Sequence, residues 1–406
     1  MSVIPNKKID KKIAMLLLSI YPLLYYYTGP ANLSYGHYLL FIYITFLIIK
    51  YNSYRILTFP ISFFMVWGMA TISIWYNSSD LKISYFIPGG VNFCSWAVFF
   101  GFTSYFFSLN YLRKYMRIIF LVSSVIFILQ IIASNVGRPF CAVLPLSSHI
   151  SYGDLSFDQL VQIHISRDRY SSLFMEPAYF AQYLIVHLCI ELFSDESSNK
   201  IFNKYSILII IVLLLMRSGS GYIGVFSLLF MKLMVYLSNK RIVWRIGFVL
   251  LMAPVVYYAL SNYAETEIGI DVYSRTTEIG EDGTSGYIRI VQGFIVYDYL
   301  PIENKIFGIS DEQLYSLNVP FLNKDDSSFL FNGIQMILIK TGLFGLVLFI
   351  LFYVNLFRNN KNLARVSVLL LLLLSCIEQT YLMPLMLILT TISYGCIINK
   401  SIVETT

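Results

Sequence analysis

Two arginines, an aspartate and a glutamate crowd one short run, Arg167-Asp-Arg-Tyr-Ser-Ser-Leu-Phe-Met-Glu176-Pro-Ala-Tyr-Phe-Ala181, directly before an apolar stretch. A guanidinium beside a carboxylate can hold an anion while moving a proton, because the first binds phosphate oxygens by paired hydrogen bonds and the second accepts from a hydroxyl. Pro177 suits the first turn of a helix, where its missing N–H costs nothing. Glu176 is therefore expected at a helix mouth, where the positive end of the dipole favours a carboxylate. Arg169 and Glu176 are read either as an anion-binding cation beside an acid–base group or as an interfacial salt bridge anchoring the helix. Arg167 and Asp168 fit a solvated loop as well.

Three further polar stretches interrupt apolar sequence. Met216-Arg-Ser-Gly-Ser-Gly-Tyr222 follows a run too short for an upright span, since its twelve residues make roughly 18 Å against a ~30 Å hydrocarbon core. Arg217 either snorkels to the interface or faces a wet cavity at membrane depth, where charge is expensive and usually functional. Gly283-Thr-Ser-Gly-Tyr-Ile-Arg289-Ile-Val-Gln-Gly-Phe-Ile-Val-Tyr-Asp298 predicts a surface helix capped by Thr284 or Ser285. Ile288, Val291 and Ile295 share one face of it, with Arg289 and Gln292 on another. Arg289 is a candidate anion ligand there, or a solvated arginine. Asp325 and Asp326 precede an apolar run from Ser327 through Asn332 to about Phe357, too long for one upright helix, so a short helix along the outer surface, a break at Gly342 and then the tenth span are expected.

The acids Glu265, Glu267, Asp271, Glu278, Glu281 and Asp282 match no calcium loop, and His37, His149, His164 and His187 form no paired ligand motif. No metal and no cofactor is called for. The five cysteines have neither metal-ligand spacing nor the look of a disulfide framework.

The elements that must carry these groups are membrane helices. The chain has 406 residues, 57% hydrophobic and 13% charged, where soluble domains carry about 25% charge. About twelve apolar runs recur, and no hydrophilic segment is long enough for a separate globule, so residues 1–406 read as one all-α integral membrane domain. The runs lie near Ile13–Tyr27, Tyr35–Ile49, Ile56–Tyr76, Pro88–Leu109, Ile118–Ala133, Ala178–Phe193, Tyr205–Met216, Tyr222–Leu237, Val243–Asn262, Gly342–Phe357, Val366–Ile377 and Pro384–Ile398. Two large loops separate them, at 134–177 and 263–341. The lysines after Pro5 precede an uncleaved first helix and not a signal-peptide cleavage site.

Lysine and arginine set the orientation. Lys50 and Arg55, Arg113, Lys114 and Arg117, Lys200 and Lys204, Lys240, Arg241 and Arg245, and Arg358, Lys361 and Arg365 fill alternate short loops. Those loops and both termini are expected in the cytoplasm, and both large loops outside. The net charge of +6 is spread over these loops without basic–aromatic interleaving, which argues against nucleic acid. The cytoplasmic side has no P-loop. Chemistry on the outer face runs without ATP and needs a substrate that arrives activated.

Taken together, Arg169…Ser172-x-Phe174-x-Glu176-Pro177-x-x-Phe180 resembles the first large periplasmic loop of Wzy-type O-antigen and capsular repeat-unit polymerases. Arg217-Ser-Gly-Ser-Gly-Tyr222 resembles their next polar break. Arg289, with Pro301 and Phe307-Gly-Ile-Ser310, resembles the second loop, and Asp326 with Gly342-Leu-Phe-Gly345 the approach to the tenth span. These matches run from about 169 to 345, and the earlier spans match in hydropathy alone. The related O-antigen ligases show a histidine ahead of the asparagine and Gly-x-x-Gly. Here Asn332…Gly342-Leu-Phe-Gly345 keeps that frame with Phe331 in the histidine's place, which tilts the resemblance toward polymerase.

The resemblance implies a GT-C-like membrane glycosyltransferase of lipopolysaccharide or related polysaccharide biosynthesis, in the bacterial inner membrane with its active site on the periplasmic face. Its donor and acceptor would both be undecaprenyl-pyrophosphate-linked oligosaccharides, with a flippase and a chain-length co-polymerase as partners. Arg169, Arg217 and Arg289 would clamp the pyrophosphate, and Glu176 first, or Asp326 second, would take the acceptor's proton. A ligase, or a polysaccharide-unit flippase or secondary transporter, is the alternative, although no motif is duplicated between the halves as transporter repeats would have it.

Overall fold

A computed structural model describes residues 8–27, 29, 34–51, 98–144, 159, 161–162, 165, 170–194, 202–238, 285–309, 313–314, 331–358 and 362–405. Among them helix is the regular structure throughout and no β-strand occurs. The helices are α1 (Lys8–Leu24), α2 (Tyr35–Tyr51), a segment over 98–105, α3 (Leu109–Asn135), α4 (Pro177–Phe193), α5 (Lys204–Leu215) and α6 (Gly219–Ser238). A single turn, Ser285–Tyr287, then runs through a π-helical turn, Ile288–Gln292, into α7 (Gly293–Tyr299), followed by α8 (Ile302–Phe307), α9 (Gly333–Arg358), α10 (Asn362–Ser375) and α11 (Pro384–Thr405).

α3, α6 and α9 are each long and apolar enough to cross a membrane. α3 has 27 residues, roughly 40 Å at 1.5 Å per residue, against a hydrocarbon core of ~30 Å. Ile118, Val122, Val125, Leu129 and Ile132 leave an apolar stripe exposed along it. Ile223, Phe226 and Phe230 do the same on α6, and Leu343, Val347, Ile350 and Val354 on α9. Such stripes suit lipid as the surrounding solvent. α2, α4, α5, α10 and α11 are shorter apolar helices. The expected spans near 56–76 and 243–262, and residues 88–97 of that near 88–109, lie outside the described residues.

α4 forms the centre of the bundle. It is apolar all round, the pattern of a helix with neighbours on every side, and from Phe180 to Phe193 every residue is buried. It packs on α3, α5, α6, α10 and α11. Gly224 lets α6 approach most closely, because a Cβ there would overlap the Ile185 side chain. α4 starts at Pro177, with Glu176 as its extended N-cap at φ −138° and ψ 152°. That is the conformation imposed on a residue preceding proline.

The ends of the bundle differ in charge. At one end Lys50 Nζ meets Asp10 Oδ1 at 2.6 Å, tying α2 to α1. At the same end Glu191, in the last turn of α4, accepts from Arg113 Nη2 at 2.8 Å, Arg117 Nε at 2.6 Å and Asn203 Nδ2 at 2.8 Å. Asn203 also caps α5 through the backbone N–H groups of Tyr205 and Ser206. Of the short basic loops of the sequence, Lys50, Arg113 and Arg117 lie at this end, the two arginines where α3, α4 and α5 are stapled together. Glu176, Arg217 and Arg289 belong to the opposite end.

The break expected at Gly342 is present, at φ 65° and ψ −175° inside α9. The surface helix expected before it is instead packed into the protein, with Gln335, Ile337 and Ile339 fully buried. α7 and α8 of the second large loop cover it.

Candidate functional site

The site begins with a helix cap. Asn332 Oδ1 accepts from the Gln335 backbone N–H at 2.9 Å, and Gln335 Oε1 accepts from the Asn332 N–H at 3.2 Å. This reciprocal arrangement satisfies donors that the first turn of α9 would otherwise leave open. The amide nitrogens of the same two side chains face the π-turn. Asn332 Nδ2 donates to the Arg289 carbonyl at 2.7 Å and Gln335 Nε2 to the Ile290 carbonyl at 2.9 Å. A π-turn displaces carbonyls from the ordinary i→i−4 ladder, and these amides supply donors to two carbonyls within it. Gly293 makes room, since a Cβ there would overlap the Gln335 side chain.

Asn332 Nδ2 reaches a third segment as well, donating to the Cys376 carbonyl at 3.0 Å. Beside it the Gly333 N–H donates to the Glu378 carbonyl at 2.7 Å. The start of α9 therefore fixes the π-turn and the α10–α11 turn against each other. The consequence is an ion pair between them: Arg289 Nη1 lies 3.0 Å from Glu378 Oε1 and 2.9 Å from Oε2. The two partners are unequally covered. The Arg289 side chain keeps 27% of its exposure and that of Glu378 8%.

Two other helices reach the same carboxylate. Gln182, in the second turn of α4, directs Nε2 toward Oε2 at 3.5 Å. Ser220, in the first turn of α6, also hydrogen-bonds it and lies 3.0 Å from the Ser218 hydroxyl. Burial pushes the Glu378 carboxyl above the usual carboxylate range, the Arg289 charge opposes that, and the nearby charge of Glu176 adds to it. Tyr26, just beyond α1, stacks flat on Tyr179 with ring centroids 3.6 Å apart and 7° between planes. Burial raises the Tyr26 phenol, and the charges of Tyr179, Tyr25, Glu176 and Glu378 raise it further.

Of the residues singled out from sequence, Arg289 pairs with this carboxylate and Glu176 lies within range of its charge. Arg217 sits in the α5–α6 turn that delivers Ser220. It is exposed, at a left-handed φ of 52°. Arg169 and Asp326, with Arg167 and Asp168, lie outside the described residues. Phe331 is fully buried in an apolar cluster with Val296, Leu300, Ile309 and Ile339. Among the described residues no three His, Cys, Asp or Glu side chains gather as metal ligands.

Sequence reasoning missed Glu378, Gln182 and Ser220. The signal was available for the first. Glu378-Gln-Thr-Tyr is a polar break between two leucine-rich runs, at the end of the bundle away from the basic loops. Attention to the long loops passed over that short turn.

The arrangement is an arginine with an accessible side, backed by a buried carboxylate and flanked by a second carboxylate at a helix mouth and a stacked tyrosine pair. It can receive an anion at the guanidinium, hold a proton on Glu378 and offer an aromatic face to a sugar ring. Comparison of the chain with family models, with curated proteins and with solved structures returns no match.

Proposed function

We propose that the protein is a membrane glycosyltransferase that polymerises oligosaccharide repeat units carried on a polyprenyl pyrophosphate, of the O-antigen or related surface-polysaccharide type. The carrying observation is that Arg289, from the second long loop, pairs with the buried Glu378 within range of the Glu176 charge, at the end of the bundle away from the Arg113 and Arg117 pairs. By the distribution of lysine and arginine that end faces outward. A donor there must arrive activated, as a lipid pyrophosphate does.

In the proposed reaction an acceptor sugar hydroxyl attacks the anomeric carbon of the donor chain. The new glycosidic C–O bond forms as the bond from that carbon to the phosphate oxygen breaks, and the lipid pyrophosphate leaves with the electron pair. Arg289, with Arg217 and Arg169, neutralises the growing charge. Glu176 takes the hydroxyl proton, with Asp326 as the alternative base. The Tyr26–Tyr179 stack offers a platform for the sugar.

The burial of Phe331 in an apolar cluster, at the position where the related ligases carry histidine, favours polymerase over ligase. The test is the purified full chain in lipid with a synthetic lipid-linked repeat unit. The expected outcome is a ladder of products on the lipid carrier without added metal or nucleotide. Transfer of a preformed chain to a non-carrier acceptor would make it a ligase, and movement of the unit across the bilayer without bond formation would make it a transporter.

A further inference from the structure

Arg289 presents one side outward while its Nη1 is engaged by a carboxylate that is nearly fully buried behind it. An anion approaching from solvent meets the guanidinium before it meets Glu378. Among the described residues, Glu176 from the mouth of α4, Gln182 from the same helix and Ser220 from α6 act on that carboxylate besides Arg289, by charge or a hydrogen bond. Tyr26, from the chain after α1, feels the charges of both carboxylates. Arg289 is thus the cation among these groups, and Glu378 and Glu176 are both acids.

We propose that an incoming diphosphate takes over the Arg289 guanidinium from Glu378, and that one proton is taken up at Glu378 as it binds. This deepens the reading of the site as a lipid-diphosphate site and rests on it. The physical reason is charge balance. In the resting state the Arg289 charge compensates the buried Glu378. Once a diphosphate shares that cation, Glu378 faces a second anion and Glu176 in a poorly solvated position, and the neutral form becomes the favoured one. Gln182 and Ser220 stay beside it, and either can accept a hydrogen bond from a protonated carboxyl. Glu378 is a positioning residue here. It holds Arg289 in place while the site is empty and yields it to the substrate.

The sign follows from linkage. The loaded site binds one proton more than the resting site, so affinity is greatest at low pH. Affinity falls as pH rises between the resting titration point of Glu378 and its higher point in the loaded state. Below that window both states are protonated and the dependence disappears.

The experiment is calorimetric titration of the full chain in nanodiscs with farnesyl diphosphate, over a pH series and in two buffers of different ionisation enthalpy. Wild-type protein should take up about one proton per ligand within the window, and its affinity should fall about ten-fold more per pH unit than that of Glu378→Gln. Comparing the two proteins removes the ligand's own ionisation. Glu378→Gln should bind more tightly than wild type at the alkaline end, and Glu176→Gln should keep the wild-type slope. Equal slopes in wild type and Glu378→Gln, with no proton uptake by wild type, would overturn the proposal and leave the diphosphate reading standing. Loss of the slope in Glu176→Gln instead would also overturn it. If farnesol bound as well as farnesyl diphosphate, or if the diphosphate did not bind at all, the reading of the site would fail and the inference with it. The phosphorus NMR shift of farnesyl diphosphate bound to wild type gives the ligand's own share of the protons, so poor folding of a variant does not remove the test.

Discussion

Arg289 and Glu378 carry the proposed chemistry at the level of single side chains. The acid of the pair is buried and the guanidinium partly exposed. Arg289→Ala is expected to abolish polymer while protein stays in the membrane, because it removes the guanidinium and leaves Glu378 buried without its counter-charge. The measurement is product length on a gel beside a blot for the protein, and wild-type chain lengths would refute the clamp. Arg289→Lys should recover little, since an ammonium cannot reproduce a planar fork. Glu176→Gln distinguishes a base from a scaffold. A loss of about 10²-fold or more in turnover with substrate binding intact is expected of a general base, whereas near-normal turnover would assign the proton elsewhere.

The elements explain why those side chains meet. Gly308 and Gly342 both adopt conformations open almost only to glycine, at φ 86° with ψ −176° and φ 65° with ψ −175°. They face each other, for a Cβ on Gly342 would overlap the Ile306 carbonyl and one on Gly308 the Lys340 carbonyl. The Ile309 N–H donates to the Ile339 carbonyl at 2.8 Å across the same junction. This is the joint by which the second large loop is fixed to α9. Gly342→Ala should cost about 1–3 kcal/mol from backbone strain alone, with more from the overlap, seen as a lowered Tm in detergent. Asn332→Ala should cost about 1 kcal/mol for the lost cap. It also leaves the Arg289 and Cys376 carbonyls without that donor, so a fall in activity larger than the fall in Tm is expected. Equal falls in both would reduce Asn332 to a stability residue.

For the whole molecule, the carboxylates divide the bundle into a stapled end and a site end. Glu191 joins α3, α4 and the α5 cap through two arginines and an asparagine, far along α4 from Glu176. Glu191→Ala leaves two arginines facing each other where a carboxylate held them, and breaking a largely buried pair of this kind costs about 3 kcal/mol or more. Lower thermal stability with unchanged substrate affinity in the surviving protein is the expected outcome, measured by Tm and by diphosphate titration. A selective loss of affinity would mean that the two ends are coupled through α4. Sidedness is checked independently. A single cysteine at Lys361 in a cysteine-free chain should resist a membrane-impermeant thiol reagent in intact cells, and one at Arg217 should react.

Hydropathy by itself determined the helical class and the position of most described helices, because both follow from local composition: the bounds of α4, α5 and α10 fall within a few residues of the apolar runs. Pro177 fixed the start of α4 for the same local reason. Glu378 shows in the sequence as a polar break, but its role was decided by the tertiary structure. Its importance depends on a π-turn some ninety residues earlier in the chain, on an asparagine and a glutamine at the start of α9, and on polar groups from α4 and α6. No periodicity within a window records contacts at that separation. A buried carboxylate becomes chemically distinctive only when the fold removes its water and supplies its counter-charge.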